Sequence, residues 1–150
     1  RYLYPGYRVE IQNRPPGERV TVYRPEPGGK PETLLASVEQ AGAFFAGLYR
    51  SHLILHGGGE AGLHTLTIID LTAPRQRQVR LKSPAHGERM SIVEDQLRFY
   101  VPKPGDPVEC RTEGPGGKQA KGQRFEAFTY DFAGGEAKPT GEETCLYVEQ

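Results

Sequence analysis

The chain has 150 residues, enough for one domain with a buried core. Its 19 basic and 19 acidic residues give a formal net charge of zero, which removes the electrostatic case for binding nucleic acid or an anionic membrane surface. Hydrophobic residues make up 36% of the chain, too many for a disordered segment, and no apolar run is long enough to span a bilayer. We therefore expect a single folded domain over residues 1–150, without a membrane span.

Glycine and proline are abundant, at 19 and 13 residues, and they lie between short apolar runs. This composition predicts many tight turns and an all-β fold. The first strands are predicted at residues 7–11 and 19–23, where apolar and polar residues alternate on either side of a turn at 14–18. Residues 32–40 fit a short helix and a strand equally well. Residues 1–42 are thus expected to hold an N-terminal hairpin and one ambiguous segment.

From residue 43 onward the strand pattern is continuous and falls into two similar series. The predicted strands are 43–50, 51–56, 64–71 and 78–82, then 89–93, 96–101, 124–132 and 144–148. Each series contains a hydrophobic strand that closes on an Asp and a large apolar residue, Asp70-Leu71 in the first and Asp131-Phe132 in the second. Repeated four-strand meanders are typical of β-propeller blades, but two blades cannot close a ring that needs at least about four. We expect open antiparallel sheets.

The predicted boundaries follow from these two series. A first β unit covers residues 43–82, a connecting loop covers 83–89, and a second β unit covers 90–150. The second unit carries a long insertion at 102–123, rich in Gly, Pro and Lys, which we expect to be mobile.

The two cysteines, Cys110 and Cys145, are widely spaced, lie in or beside strand-like segments and form no C-x-x-C motif. This pattern favours one structural disulfide, with two separate buried thiols as the alternative. A disulfide favours an exported protein. The chain also begins at Arg1 rather than Met, which a removed signal peptide or a trimmed chain would explain.

Three histidines lie close together in sequence, at His52, His56 and His64. On a strand, His52 and His56 lie about 13 Å apart on the same face. Zinc holds its nitrogen ligands at about 2.1 Å, so these two cannot bind one ion. His56 and His64 could still meet across a hairpin, but ordinary strand-end histidines are favoured. We predict no metal and no cofactor.

The residues that could form a catalytic site are better interpreted as parts of turns. Ser83, His86 and Glu88 have the residue types of a nucleophilic triad, but no G-x-S-x-G motif fixes their geometry, so a polar turn is favoured. Asp70 and Asp131 could form a carboxylate pair. A strand-end Asp more often starts the next turn through its side chain. We therefore predict a protein that is not an enzyme.

The connecting loop at 83–89 is the best candidate for a contact surface. We expect it to protrude, and it offers a hydroxyl, an imidazole and both signs of charge on a tether held by sheets at each end. Such a loop can enter a concave site with little ordering cost. The predicted partner-binding residues are Ser83, His86, Glu88, Arg89 and Ser91.

With this loop, the paired β units over residues 43–148, and Cys110 with Cys145, the chain resembles the periplasmic immunity proteins that protect bacteria from type VI secretion amidase effectors. The resemblance implies an exported β protein that plugs the catalytic cleft of a peptidoglycan amidase. It also implies that a polar loop lies beside the enzyme's Cys and His, with Ser83, His86 and Ser91 as contacts. The alternatives are a non-catalytic ligand- or protein-binding domain of the envelope, and a hydrolase that uses His52, His56, His64 or Asp70.

Overall fold

A computed structural model describes residues 2–58, 63–72, 77–81, 85–86, 89–103 and 109–148. Every regular element in these ranges is a β-strand or a short 3-10 turn. The sheets are antiparallel and open, which confirms the predicted fold class. The chain divides into two compact units. Unit 1 contains Arg1–Gly58 and Leu66–Arg80, and unit 2 contains Gly59–Thr65 and Leu81–Gln150.

The N-terminal sheet of unit 1 has four strands in sequential order. They are β1 (Tyr2–Tyr4), β2 (Tyr7–Arg14), β3 (Gly17–Arg24) and β4 (Thr33–Glu39). The predicted hairpin is β2–β3, and the ambiguous segment is strand β4. Ala36 of β4 lies opposite Val22 of β3, and both side chains are buried. Side chains of a strand alternate between its two faces, so one face of β4 packs on the core.

The second sheet begins with a four-strand meander. Its strands are β5 (Ala43–Tyr49), β6 (His52–Gly58), β7 (Leu63–Asp70) and β8 (Arg77–Arg80), in that order. The core of unit 1 is one apolar cluster in which residues of the N-terminal sheet, including Val9 and Val22, pack with Leu53, Leu55 and Ile69. Burying each of these side chains contributes about 1.5–3 kcal/mol.

Gly17 sets how closely the β2–β3 hairpin approaches the β4–β5 connection. A Cβ added to Gly17 would lie 2.8 Å from the carbonyl oxygen of Gln40 and 2.9 Å from that of Ala43. Next to it, the carboxylate of Glu18 accepts a hydrogen bond of 2.9 Å from the backbone N–H of Phe45. The hairpin is therefore held to β5 by a close approach that only glycine allows and by one side-chain bond.

Unit 2 is built around one long strand. Its strands are β9 (Ala85–His86), β10 (Ser91–Val93), β11 (Gln96–Pro102), β12 (Glu109–Glu113), β13 (Gln119–Asp131) and β14 (Glu136–Leu146). Gln123 of β13 pairs with Glu109 of β12 and also with Leu146 of β14. Because a residue has one partner on each side, β12 and β14 flank β13. Over 109–123 the predicted insertion is a hairpin of β12 with the start of β13, and its expected mobility stays a prediction.

The predicted disulfide between Cys110 and Cys145 is confirmed, and it joins the two strands that flank β13. In a flat sheet such strands lie about 9.5 Å apart. The two Cα atoms are only 6.0 Å apart, so the sheet curls around β13 at this point. Gly122 lies beneath the bond, and a Cβ added there would lie 2.6 Å from Sγ of Cys145 and 3.0 Å from the carbonyl oxygen of Leu146. The bond thus requires glycine at this position.

Candidate functional site

The connecting loop is only partly accessible. Ser83 and Glu88 lie outside the described residues. Ala85 and His86 form β9, which pairs with His64 and Leu63 at the start of β7. Ala85 is 0% exposed and His86 is 8% exposed. The expectation of an exposed protrusion is therefore wrong at these two positions, because strand pairing draws them into the interior of unit 2.

His86 makes specific internal contacts. Its Nε2 lies 2.8 Å from the carbonyl oxygen of Tyr147. Since a carbonyl oxygen can only accept, Nε2 carries the proton of this bond. The imidazole also stands perpendicular to the ring of Phe125, with 5.4 Å between ring centroids. These contacts give His86 a structural role, and its contact with a partner stays a prediction.

Arg89 and Ser91 are exposed, and they lead into the hairpin formed by the strands predicted at 89–93 and 96–101, whose tip was not among the predicted binding residues. In this β10 hairpin, residues 91–98, Ser91 pairs with Arg98 and Val93 pairs with Gln96. Ile92 is 40% exposed and Val93 is 56% exposed. Because they are consecutive on a strand, their side chains lie on opposite faces of the hairpin end, which thus exposes one apolar side chain on each face beside two of the predicted binding residues.

The tip of the β10 hairpin is a two-residue turn made by Glu94 and Asp95. Both residues have left-handed backbone angles, with φ of 50° and 68°. Two consecutive left-handed residues match the twist of a hairpin, and Asn-Gly is the usual pair. This conformation costs about 1–2 kcal/mol for a residue such as Glu94, whereas Asp tolerates it better. Glu-Asp is therefore a poor turn signal in the sequence, and strained tips of this kind occur at functional sites.

The base of the β10 hairpin is well anchored. Leu97 is buried in unit 2. Arg98 donates a hydrogen bond to the carboxylate of Glu142, and its guanidinium lies 5.7 Å from the ring centroid of Tyr100. The bond to Glu142, and then the interaction with Tyr100, raise the pKa of Arg98. The guanidinium therefore remains charged, and the hairpin is held at its base while its tip is exposed.

The two strand-end aspartates start turns, as predicted. Oδ1 of Asp70 accepts hydrogen bonds from the N–H and the hydroxyl of Thr72, at 2.9 and 2.7 Å. Oδ1 of Asp131 accepts one from the N–H of Ala133 at 3.0 Å. The hydrolase alternative is untested, but Asp70, one of its candidate groups, has one carboxylate oxygen engaged in a turn.

The histidine candidates are found on strands. His52 and His56 belong to β6 and His64 to β7, and the His56 ring stacks on Phe44 with 5.9 Å between centroids. Within the described ranges, no group of three or more His, Cys, Asp or Glu side chains is placed to hold a metal ion.

In the described part of the chain, no helix has the length and apolar character needed to cross a membrane. Comparisons of the chain with protein-family models, curated proteins and solved structures found no match.

Proposed function

We propose that this chain is a non-catalytic inhibitor of a peptidoglycan amidase, exported to the periplasm, with the role of an immunity protein. The observation that carries the proposal is the β10 hairpin, which presents Ile92 and Val93 beside the acidic turn Glu94-Asp95. Arg89 and Ser91, at the entry to the hairpin, are assigned to the rim of the same surface.

The shape of the hairpin supports insertion into a cleft. Two paired strands are about 4.8 Å apart, so a hairpin closed by two residues has a narrow end. Val and Ile side chains have restricted χ1 angles. Little side-chain and backbone entropy is therefore lost when this tip binds. Its affinity should be higher than that of a flexible loop with the same contact area.

The charge of the tip supports a partner with a cationic group in its cleft. Glu94 is exposed at the turn. A nucleophilic cysteine is often paired with a protonated histidine. A carboxylate can accept a charge-assisted hydrogen bond from such an imidazolium. We assign this contact to Glu94, with Ile92 and Val93 against the walls of the cleft.

The Cys110–Cys145 disulfide supports the compartment. Disulfides form and persist in oxidising environments such as the bacterial periplasm. A periplasmic inhibitor would meet a cell-wall amidase where that enzyme acts.

The test uses the purified chain and the peptidoglycan hydrolase encoded beside its gene, with release of cell-wall peptides as the assay. The double variant Ile92→Asp and Val93→Asp should weaken inhibition by about 100-fold or more, as for central interface residues. Glu94→Gln should weaken it by about 10-fold, as expected for one charge-assisted hydrogen bond. Lys118→Glu, in an exposed turn of the same unit, is the matched control and should inhibit normally.

Two results would contradict the proposal. One is unchanged inhibition by the Ile92→Asp, Val93→Asp variant with its strand content intact by circular dichroism. The other is a larger loss of inhibition in Arg89→Glu than in the Ile92→Asp, Val93→Asp variant, which would assign the contact to the predicted connecting loop at 83–89 instead of the hairpin tip. Absence of any complex with the hydrolase would favour the second candidate, a ligand-binding envelope domain, which is supported by a cleft in unit 1.

A further inference from the structure

Unit 1 contains a cleft of about 410 Å³ that the proposed inhibitor function does not use. Its lining residues are Tyr4, Pro5, Tyr7, Leu48, Arg50 and Ser51. They come from the turn between β1 and β2 and from the end of β5 with the turn that follows it. The volume lies within the range of about 300–1,000 Å³ found for small-molecule sites.

One wall of the cleft is aromatic and preorganised. Tyr4 and Tyr7 are directly opposed across the β1–β2 turn. Pro5 and Gly6 form this turn, and Gly6 has the left-handed φ of 79° that the third position of a type II turn requires. The ring of Tyr4 stands edge-on to Phe45 at 6.3 Å. Burial, and then the neighbouring Tyr2, raise the pKa of the Tyr4 phenol, so it remains a hydrogen-bond donor.

The other wall holds a cation on a strained turn. Arg50 has φ of 51°, in the region that favours glycine. The turn is fixed by a 2.8 Å hydrogen bond from the N–H of Leu71 to the carbonyl oxygen of Ser51. The guanidinium lies 5.5 Å from the ring centroid of Tyr49. The backbone of Arg50 lowers the stability of the fold, and its side chain lines a cleft. Such a residue is a candidate for ligand binding.

We infer that this cleft binds a carboxylate joined to an apolar ring or branched chain. The carboxylate would lie on Arg50 and the hydroxyl of Ser51, and the apolar body against Tyr4, Pro5 and Tyr7. A guanidinium has five N–H donors, so contacts within the protein are compatible with a two-bond contact to a carboxylate. Two sources share this chemistry, the C-terminal residue of a peptide and a free carboxylic acid. The inference stands independently of the inhibitor function.

The test is a titration of the ¹⁵N-labelled full chain, with the Kd measured by calorimetry. The probes are N-acetyl-Gly-Phe with a free carboxylate, its C-terminal amide, and 3-phenylpropionate. The free-acid peptide should bind with a Kd of about 0.1 mM, a usual value for about 20 non-hydrogen atoms. It should shift the amide resonances of residues 4, 6, 7 and 48–51. The amide should bind at least about 10-fold more weakly, since one charge-assisted contact is lost.

Variants separate binding from folding. Arg50→Gln should remove the preference for the free acid over the amide, whereas Tyr7→Ala should weaken both forms alike. Arg14→Gln, an exposed arginine at the end of β2, is the matched control and should bind normally. Arg50→Gly should lose the same preference and yet unfold at a higher denaturant concentration, because it relieves the left-handed strain.

The two sources of the carboxylate are distinguished by the probes. Binding of 3-phenylpropionate as tight as that of the peptide would assign a free acid, and clearly weaker binding would assign a peptide terminus. Equal binding of the acid and the amide, or an acid preference that survives Arg50→Gln, would overturn the inference. So would the absence of resonance shifts at about 1 mM free-acid peptide, ten times the expected Kd.

Discussion

The same four residues, Pro-Gly-Gly-Lys, connect two strands in each unit. Pro27–Gly29 lies between β3 and β4 of unit 1, and Pro115–Gly117 lies between β12 and β13 of unit 2. Both form a 3-10 turn in which the first glycine is left-handed, with φ and ψ of 70° and 27° at Gly28 and 72° and 17° at Gly116. The backbone of this turn is therefore set by its local sequence.

What stabilises the strands beside the two turns is different. In β3, Val20 and Val22 are buried in the core of unit 1. In β12, the described side chains of residues 110–113 are half-buried or exposed, and the disulfide from Cys110 ties the strand to β14. The comparison teaches that a turn motif can specify a reversal of the chain, while the stability of the hairpin depends on what its strands can bury or bond.

Removing the disulfide should affect unit 2 most strongly. In Cys110→Ser, Cys145→Ser, unfolding should be easier by about 4 kcal/mol on the chain-entropy model for a loop closed over a sequence separation of 35. Amide exchange should accelerate first in β12 and the start of β13. Uniform acceleration that includes β3 would contradict the contrast between the two hairpins.

Truncating the core should reverse this pattern. Leu53 is fully buried in the same cluster as Val20 and Val22 of β3, and Leu53→Ala should destabilise the protein by about 3 kcal/mol through lost burial and a cavity. Chemical denaturation measures the loss. Amide exchange should then accelerate first in β3 rather than in β12, and the reverse order would break the comparison.

The turns themselves should respond alike. A Cβ added to Gly28 or to Gly116 meets no atom within 4 Å, so only the left-handed backbone opposes Ala. Gly28→Ala and Gly116→Ala should each cost about 1 kcal/mol. Thermal unfolding of the two variants checks this, and an effect at one position alone would show that the turns are not equivalent.

The smallest expected effect is on the pH dependence of stability. The hydroxyl of Thr33, and then Arg24, lower the pKa of Glu26 in unit 1, and Lys103 lowers the pKa of Glu143 in unit 2. Stability from a lowered carboxyl pKa is fully present above the ordinary value of 4.5 and is lost as the pH falls through the folded value. Glu26→Gln and Glu143→Gln should each destabilise the protein slightly at pH 7 and not at low pH. Denaturation across pH tests this, and a loss that persists in acid would point to packing instead.

The sequence predicted the all-β class and most strands of the meanders, because alternation of apolar and polar residues reports a half-buried strand directly. It left β4 ambiguous, since its apolar residues fit two periods and only the pairing of Ala36 with Val22 decides between them. It recognised a strand-like segment at Cys110 but placed the rest of β12 in an insertion, because residues 109–113 show no alternation of apolar and polar residues and the strand depends on pairing with β13 and on Cys110.

The candidate site was predicted only in part. Arg89 and Ser91 are exposed as expected, but His86 is buried because β9 pairs with β7, a contact that no local pattern encodes. The β10 hairpin lies where strands 89–93 and 96–101 were predicted. Its exposed tip was not predicted as a contact surface, since Glu94-Asp95 lacks the Asn-Gly signature of its turn. Arg50 was placed at the end of the predicted strand 43–50, and its left-handed backbone is visible only in the structure.

The disulfide has a consequence for the register of the last strand. Cys145 faces Cys110 only when β14 pairs with β13 in the register that places Cys145 opposite Arg124. A slip of one residue would turn the Cys145 thiol to the opposite face of the sheet. Once the sheet has folded, this bond can therefore close only when the last strand is paired in this register.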